Sequence, residues 1–171
     1  MSGYVHLYTG NGKGKTTAAF GLAVRALCAG KRVYIGQFVK SMKYSETRLE
    51  EYFPDQLTIE QLGSGCFLTH TPSEQDQRLA TAGLEHCAKL MREGAYDVVI
   101  MDELTIALHF KLITVGTVIQ ALRTRETSIE VVITGRYAPD ELIEYADLVT
   151  EMQEVKHYYQ AGVLSREGID R

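Results

Sequence analysis

The segment Thr9-Gly10-Asn11-Gly12-Lys13-Gly14-Lys15-Thr16 constrains this chain more than any other stretch. Gly10, Gly12 and Gly14 carry no Cβ, so the backbone can wrap closely and aim its N–H groups inward at one point. Ahead of the loop, Tyr4–Tyr8 (YVHLY) reads as a strand. Behind it, Thr16–Ala29 has helical character and stops at Gly30, a good residue just past a helix end. A helix entered this way presents its positive end to an anion. Lys15 adds a charge for phosphate oxygens, and the Thr16 hydroxyl is a ligand type suited to Mg²⁺. The segment follows the pattern G-x-x-x-x-G-K-[ST] with one deviation, Thr9 at the first Gly position. Residues Thr9 to Thr16, with Thr17 as a helix residue near the phosphate, are the candidate nucleotide site. The competing reading, a flexible glycine turn with a chance Lys-Thr, does not account for the strand before and the helix after.

The rest of the chain alternates apolar runs with helical patterns, which predicts an α/β fold with a mostly parallel sheet and helices on both faces. Strands are expected at Arg32–Val39, Leu57–Leu62, Val98–Met101, Glu130–Thr134 and Leu148–Met152. Ser73, three residues before Asp76, predicts a capped helix running to Glu93, with Ala80, Leu84, Cys87 and Met91 on one face and Gly94 as its end. Helices are also expected at Val115–Leu122 and Pro139–Ala146, while Tyr158–Arg171 reads as irregular. The prolines Pro54, Pro72 and Pro139 fall in connections, and no internal repeat is visible. A length of 171 residues fits one domain, residues 1–171.

Asp102 and Glu103 directly follow the apolar run Val98–Met101. In open parallel sheets ligands collect at the carboxyl ends of strands, so this pair is a candidate Mg²⁺ site beside the phosphate loop. Spacing leaves open which of the two touches the metal. The bland alternative is an acidic pair at a helix start, favoured by the macrodipole. Thr134-Gly135-Arg136 follows another apolar strand and belongs on the same sheet edge, where Arg136 either reaches a phosphate or is an ordinary surface residue. Lys40 and Lys43 are either a solvated rim or part of an anionic-ligand pocket, with the rim favoured on sequence alone, and His157 is read as exposed.

Eighteen Lys and Arg against 22 Asp and Glu give a net charge of -4. That balance disfavours a nucleic-acid partner, since phosphate neutralisation needs a cationic surplus. Cys28, Cys66 and Cys87 form no CxxC pair and are expected to be reduced and buried, as in a cytoplasmic protein. No basic-then-apolar leader opens the sequence. The longest uncharged apolar stretch, Leu112–Leu122, falls short of the roughly 20 residues that span a bilayer. A cytoplasmic protein with no membrane partner is the expectation.

Five segments in one order, TGNGKGKTTAAFGLAVRA at 9–26, GQFVK at 36–40, DVVIMDELTIAL at 97–108, VVITGRYAPDELIEYADLVTEM at 131–152 and VKHYYQAGV with GID at 155–170, resemble the P-loop type ATP:corrinoid adenosyltransferases. The likeness covers nearly the whole chain. It implies a RecA-like fold, a homodimer, and transfer of the 5′-deoxyadenosyl group of ATP to Co(I) of a reduced corrinoid, cob(I)yrinic acid a,c-diamide or cob(I)alamin, with Mg²⁺ and release of triphosphate. It further implies a nucleotide reversed in the loop relative to ordinary P-loop ATPases. The loop, Lys15 and Thr16 would then stabilise charge on the leaving triphosphate, and Thr16 and Glu103, with Asp102 nearby, would hold Mg²⁺. Co(I) is the nucleophile, which fits the lack of an evident Ser–His or Cys–His pair. A separate reductase would supply reduced cobalt.

Two departures from the family pattern stand out. The first strand begins almost at the start, so an N-terminal cap is expected to be missing or supplied otherwise. Where the family often shows a G-F-x-W-like segment, this chain has Gly65-Cys66-Phe67-Leu68, making Phe67 and Leu68 the candidate corrinoid contacts. The altered Gly65–Leu68 stretch motivates a non-catalytic, ATP-dependent corrinoid-binding protein as an alternative. A small P-loop kinase or NTPase is the other, supported by the loop with Asp102 and Glu103.

Overall fold

A computed structural model describes residues 2–40, 44–64 and 72–170 of the chain. Six strands form one sheet: β1 (Val5–Thr9), β2 (Val33–Gln37), β3 (Leu57–Gln61), β4 (Val98–Asp102), β5 (Glu130–Thr134) and β6 (Leu148–Glu151). Their order is β3-β2-β4-β5-β1-β6, and every pairing is parallel. Five α-helices connect them: α1 (Lys15–Cys28), α2 (Glu74–Glu93), α3 (Leu104–His109), α4 (Val115–Arg123) and α5 (Asp140–Tyr145). The expected strands and the four expected helices are present, with ends displaced by two residues at most, the ordinary ambiguity of fraying termini.

Alternation along the central strands separates two cores. Val98 and Ile100 face one side, where Ala19, Phe20, Ala23 and Leu27 of α1 cover them. Val99 and Met101 face the other, against Leu84, Cys87 and Met91 of α2, Leu104 and Leu108 of α3, and Leu122 of α4. Burial on both faces is why β2 and β4 are uninterrupted buried runs rather than alternating ones. The helix start at Ser73 is a full capping box: Asp76 N–H donates to Ser73 Oγ, and the Ser73 backbone N–H donates to Asp76 Oδ2 at 2.7 Å. At the other end Gly94 closes α2 in the left-handed conformation.

Three elements were not expected among the described residues. One 3₁₀ segment, Ser45–Glu51, follows β2, another, Tyr158–Ala161, opens the C-terminal stretch read as irregular, and α3 follows Glu103. Leu104, Thr105, Ala107 and Leu108 are all buried, so this short helix has no wide polar face and leaves no amphipathic period to read. Its ends are set by backbone conformation instead: Glu103 (φ 60°) before it and Lys111 (φ 56°) after it are both left-handed.

Cysteine burial also differs from the expectation: Cys87 is buried, but Cys28, at the last turn of α1, is exposed. Cys66 lies outside the described residues. Burial pushes the Cys87 thiol up to about 12, and the Tyr34 phenol, which packs beside it and donates to Glu60 Oε2 at 2.7 Å, is raised as well. Both groups hold a proton in the fold that the unfolded chain, with ordinary values near 9.0 and 10.0, gives up. Stability is therefore expected to be independent of these groups below pH 9 and to fall as pH rises above it, by about 1.4 kcal/mol per pH unit for each group that titrates in the unfolded chain alone. Urea unfolding between pH 7 and 11.5 checks this, and Tyr34→Phe should flatten the alkaline limb.

Candidate active site

The carboxyl ends of β1, β2, β4 and β5 converge beside the start of α1. The N-cap of α1 is Gly14 (φ 120°), with no capping side chain and no acidic residue in the first turn. Its unpaired N–H groups and positive end are thereby left for an external anion. The loop is braced from the β6 side: Gly12 N–H donates to Met152 O at 2.6 Å, and Met152 N–H donates to Thr9 O at 2.8 Å. Glycine is required by this brace, because a Cβ at Gly10 would lie 2.5 Å from Met152 O and one at Gly12 2.7 Å from it.

Lys15 is buried, 7% exposed, and its Nζ donates to Gly12 O at 2.7 Å. Desolvation lowers its pKa; the Glu103 carboxylate opposes that shift, the Arg136 charge adds to it, and Asp102 opposes it. Lys13 turns the other way. Its Nζ donates to Ile169 O at 2.8 Å and to Asp170 Oδ1 at 2.6 Å, tying the loop to the C-terminal segment. Lys13 and the Tyr158 hydroxyl, which also bonds to Asp170, hold that carboxyl far below the usual range. Asn11 and Thr17 are exposed beside the loop.

Asp102, fully buried at the end of β4, is the hub of the site. Its Oδ1 accepts from Thr16 Oγ1 (2.8 Å) and Thr134 Oγ1 (2.7 Å). Its Oδ2 accepts from Gln37 Nε2 (3.0 Å) and Lys40 Nζ (3.1 Å). Thr134 Oγ1 in turn accepts the Glu103 N–H at 3.0 Å. The Thr16 proton is thus committed to Asp102, and the oxygen's lone pairs remain for a cation.

Glu103 stands in the left-handed conformation at the start of α3, so its carboxylate leaves the strand direction of its neighbour. Burial first, then the Asp102 charge, push its pKa up, while Lys40, Lys15 and Arg136 pull it down. The loop after β5 closes against it. Gly135 (φ 136°) passes so near that a Cβ would sit 2.2 Å from Thr105 Oγ1 and 3.4 Å from Glu103 Oε2. Thr105 Oγ1 donates to Arg136 O at 2.6 Å, fixing the backbone of an exposed Arg136 whose charge reaches both Lys15 and Glu103.

Thr9–Thr16, Asp102, Glu103 and Arg136 therefore meet at one sheet edge. Phe67, Leu68 and Lys43 lie outside the described residues. Lys40 is a correction: it is no solvated rim but a mostly buried cation, paired with Asp102 and with Glu46 Oε1 at 3.1 Å. Sequence reasoning passed over Gln37 and Glu46, which carry no motif of their own, and placed Thr134 at the sheet edge without giving its side chain a role. The available signal for Gln37 and Thr134 was position alone, since each ends a strand. The residues present suit a magnesium ion carried by a nucleotide. Thr16 offers lone pairs and Glu103 a carboxylate with no hydrogen bond from a described residue, and no cluster of three or more His, Cys, Asp or Glu exists among the described residues to bind a metal without phosphates.

Comparison with solved structures places the fold. The flagellar accessory protein FlaH from Methanocaldococcus jannaschii superposes with a TM-score of 0.61 over 88% of this chain and 71% of its own, at 11% identity. The architecture is thus the RecA-like P-loop α/β fold. Comparison by sequence reaches further. The corrinoid adenosyltransferase of Escherichia coli K12 is 36% identical over 169 residues, covering 98% of this chain and 85% of its own. The Salmonella typhimurium corrinoid adenosyltransferase CobA matches at the same identity and coverage, and that of Pseudomonas aeruginosa is 34% identical over 98% of this chain and 83% of its own. The profile of the ATP:corrinoid adenosyltransferase BtuR/CobO/CobP family matches residues 1–170. A phosphate loop whose strand, carboxylates and clamp loop all fall within that single match makes the chain a member of the corrinoid adenosyltransferase family.

Proposed function

We propose that this chain moves the 5′-deoxyadenosyl group of ATP onto the cobalt of a reduced corrinoid, with Mg²⁺, and that Thr9–Thr17, Arg136, Asp102 and Glu103 carry the nucleotide half of the reaction. The observation that carries the proposal is a Glu103 carboxylate that accepts no hydrogen bond from a described residue and whose charge reaches Lys15, next to an Asp102 that fixes the Thr16 hydroxyl at the start of an uncapped α1. In the reaction the Co(I) electron pair becomes the new Co–C5′ bond, the C5′–O bond breaks, and the electrons of the broken bond leave with triphosphate. Bound Mg²⁺, held by Thr16 and Glu103, would neutralise phosphate charge. The chain's own contribution is electrostatic. The N–H groups of Gly10–Gly14 and the start of α1 cradle the departing triphosphate, and Lys15 leaves Gly12 O to add a cation from a desolvated position where a charge acts strongly. Arg136 approaches from the β5 side. No protein base is required, because no proton moves in the transfer.

Either cob(I)yrinic acid a,c-diamide or cob(I)alamin serves as acceptor in this reading, with Phe67 and Leu68 as the corrinoid contacts. We further propose a cytoplasmic homodimer supplied with Co(I) by a separate reductase. No helix among the described residues is long and apolar enough to cross a membrane. The deciding assay mixes protein, Mg-ATP and each Co(I) corrinoid anaerobically. The Co(I) absorbance should disappear as one triphosphate forms per adenosylated product. ADP or orthophosphate as the product would indicate a kinase or NTPase. Absence of product with ATP binding intact would leave only a corrinoid-binding role.

A further inference from the structure

Asp102 receives more donors than a cation-binding carboxylate can spare. An ionised carboxyl has about four lone-pair sites. Here Thr16 and Thr134 fill those of Oδ1, and Gln37 and Lys40 fill those of Oδ2. The side chain is fully buried, and so are Gln37 and Thr134. A lone charge so placed would be costly, and breaking a buried pair by removing one partner is strongly destabilising. Lys40 supplies the compensating charge from the end of β2, and Glu46 of the 3₁₀ segment fixes its other side at 3.1 Å. Gln37 is itself held, accepting from Gln61 Nε2 at 2.6 Å.

We propose that Lys40 is a positioning residue that removes Asp102 from metal coordination, turning it into a neutralised anchor for the Thr16 hydroxyl and leaving Glu103 as the one carboxylate the nucleotide's cation meets. Two consequences follow from the charges. The site presents the metal with a single negative side chain, so most of the cation's ligands must come from phosphate and water, and the ion arrives with its nucleotide. The Thr16 proton stays locked on Asp102, so its lone pairs always face the loop.

The inference rests on the reading of the loop as a Mg-ATP site, and its test is separate from adenosyl transfer. Mn²⁺ binding to the ATP-loaded protein, without corrinoid, is followed by the EPR signal of free Mn²⁺. Glu103→Gln should weaken Mn²⁺ by at least about tenfold. In the double variant Lys40→Met, Glu103→Gln, the freed Asp102 takes over, and affinity should return to within about threefold of the unaltered protein. Lys40→Arg, which keeps the charge, should give no such recovery. A double variant as weak as Glu103→Gln alone overturns the proposal, as does unaltered protein that binds no Mn²⁺ beyond that held by free ATP.

A second measurement is made on the unaltered protein, with one charge-conserving variant used only to assign the signal. In protein labelled with ¹⁵N-lysine, the hydrogen-bonded Lys40 ammonium should give a slowly exchanging signal, identified by its loss in Lys40→Arg. That signal should persist when Mg-ATP is added; its disappearance would show Asp102 surrendering Lys40 to the metal and would overturn the proposal. A negative Co(I) assay with these results intact would sink the assigned reaction and leave the role of Lys40 standing.

Discussion

Lys15→Met is expected to lower adenosyl transfer by about a hundred- to a thousandfold, the size of loss seen when one preorganised charge-stabilising group is removed. The fold should survive. To the described residues Lys15 makes one side-chain hydrogen bond, to Gly12 O, and it is a desolvated cation whose charged form the fold disfavours. Methionine keeps the aliphatic stem and removes the penalised charge, so the lost hydrogen bond, worth about 1 kcal/mol, is offset. The check has two parts: thermal unfolding, where the midpoint should not fall appreciably, and steady-state kinetics, where kcat should fall more than ATP binding weakens. Near-normal turnover would mean that the loop's cation does not meet the leaving group.

Gly135→Ala should destabilise the protein strongly. The backbone there has φ 136°, which side chains rarely adopt, and the new Cβ would lie 2.2 Å from Thr105 Oγ1. Thr105 is fully buried and donates to Arg136 O, so it cannot rotate away without breaking the clamp. Backbone strain and a lost buried hydrogen bond together are expected to cost about 3 kcal/mol. For a chain of this size that is a fall in Tm of roughly 6–12 °C. Thr105→Ala in the same chain makes room for the methyl and should recover part of the loss. If Gly135→Ala alone leaves Tm unchanged, the loop after β5 is not packed on α3 as described.

Both residues show where sequence reading succeeds and where it stops. Lys15 belongs to a contiguous pattern whose glycines, cation and hydroxyl are chemically interpretable in place. Asp102 and Glu103 were legible for a similar reason, because an apolar run of four residues predicts where a strand ends. Lys40 was misjudged because a lysine after a strand is usually solvated, and nothing in GQFVK announces that β2 lies next to β4. That adjacency follows from the order β3-β2-β4-β5-β1-β6, which alternating helix and strand signals do not encode. The Thr105–Arg136 clamp was hidden for a different reason: it hangs on α3, a helix without an amphipathic period and bounded by backbone angles rather than capping side chains.

The position of β1 in the sheet is also expected to order assembly of the protein in time. Strands β2, β3 and β4 pair among themselves and lie within residues 33–102. The strand that carries the phosphate loop has only β5 and β6 as neighbours. Its anchoring contacts span 126 residues from Tyr4 to Glu130 and 142 from Val5 to Asp147. Such distant closures are the slow ones, since their entropy is spent before any contact forms. A partly folded chain can therefore own a β3-β2-β4 sheet and still lack a nucleotide site. ATP then binds only the finished molecule, drawing late intermediates toward the native state by mass action, and the gain of ATP binding during refolding becomes a clock for the last step.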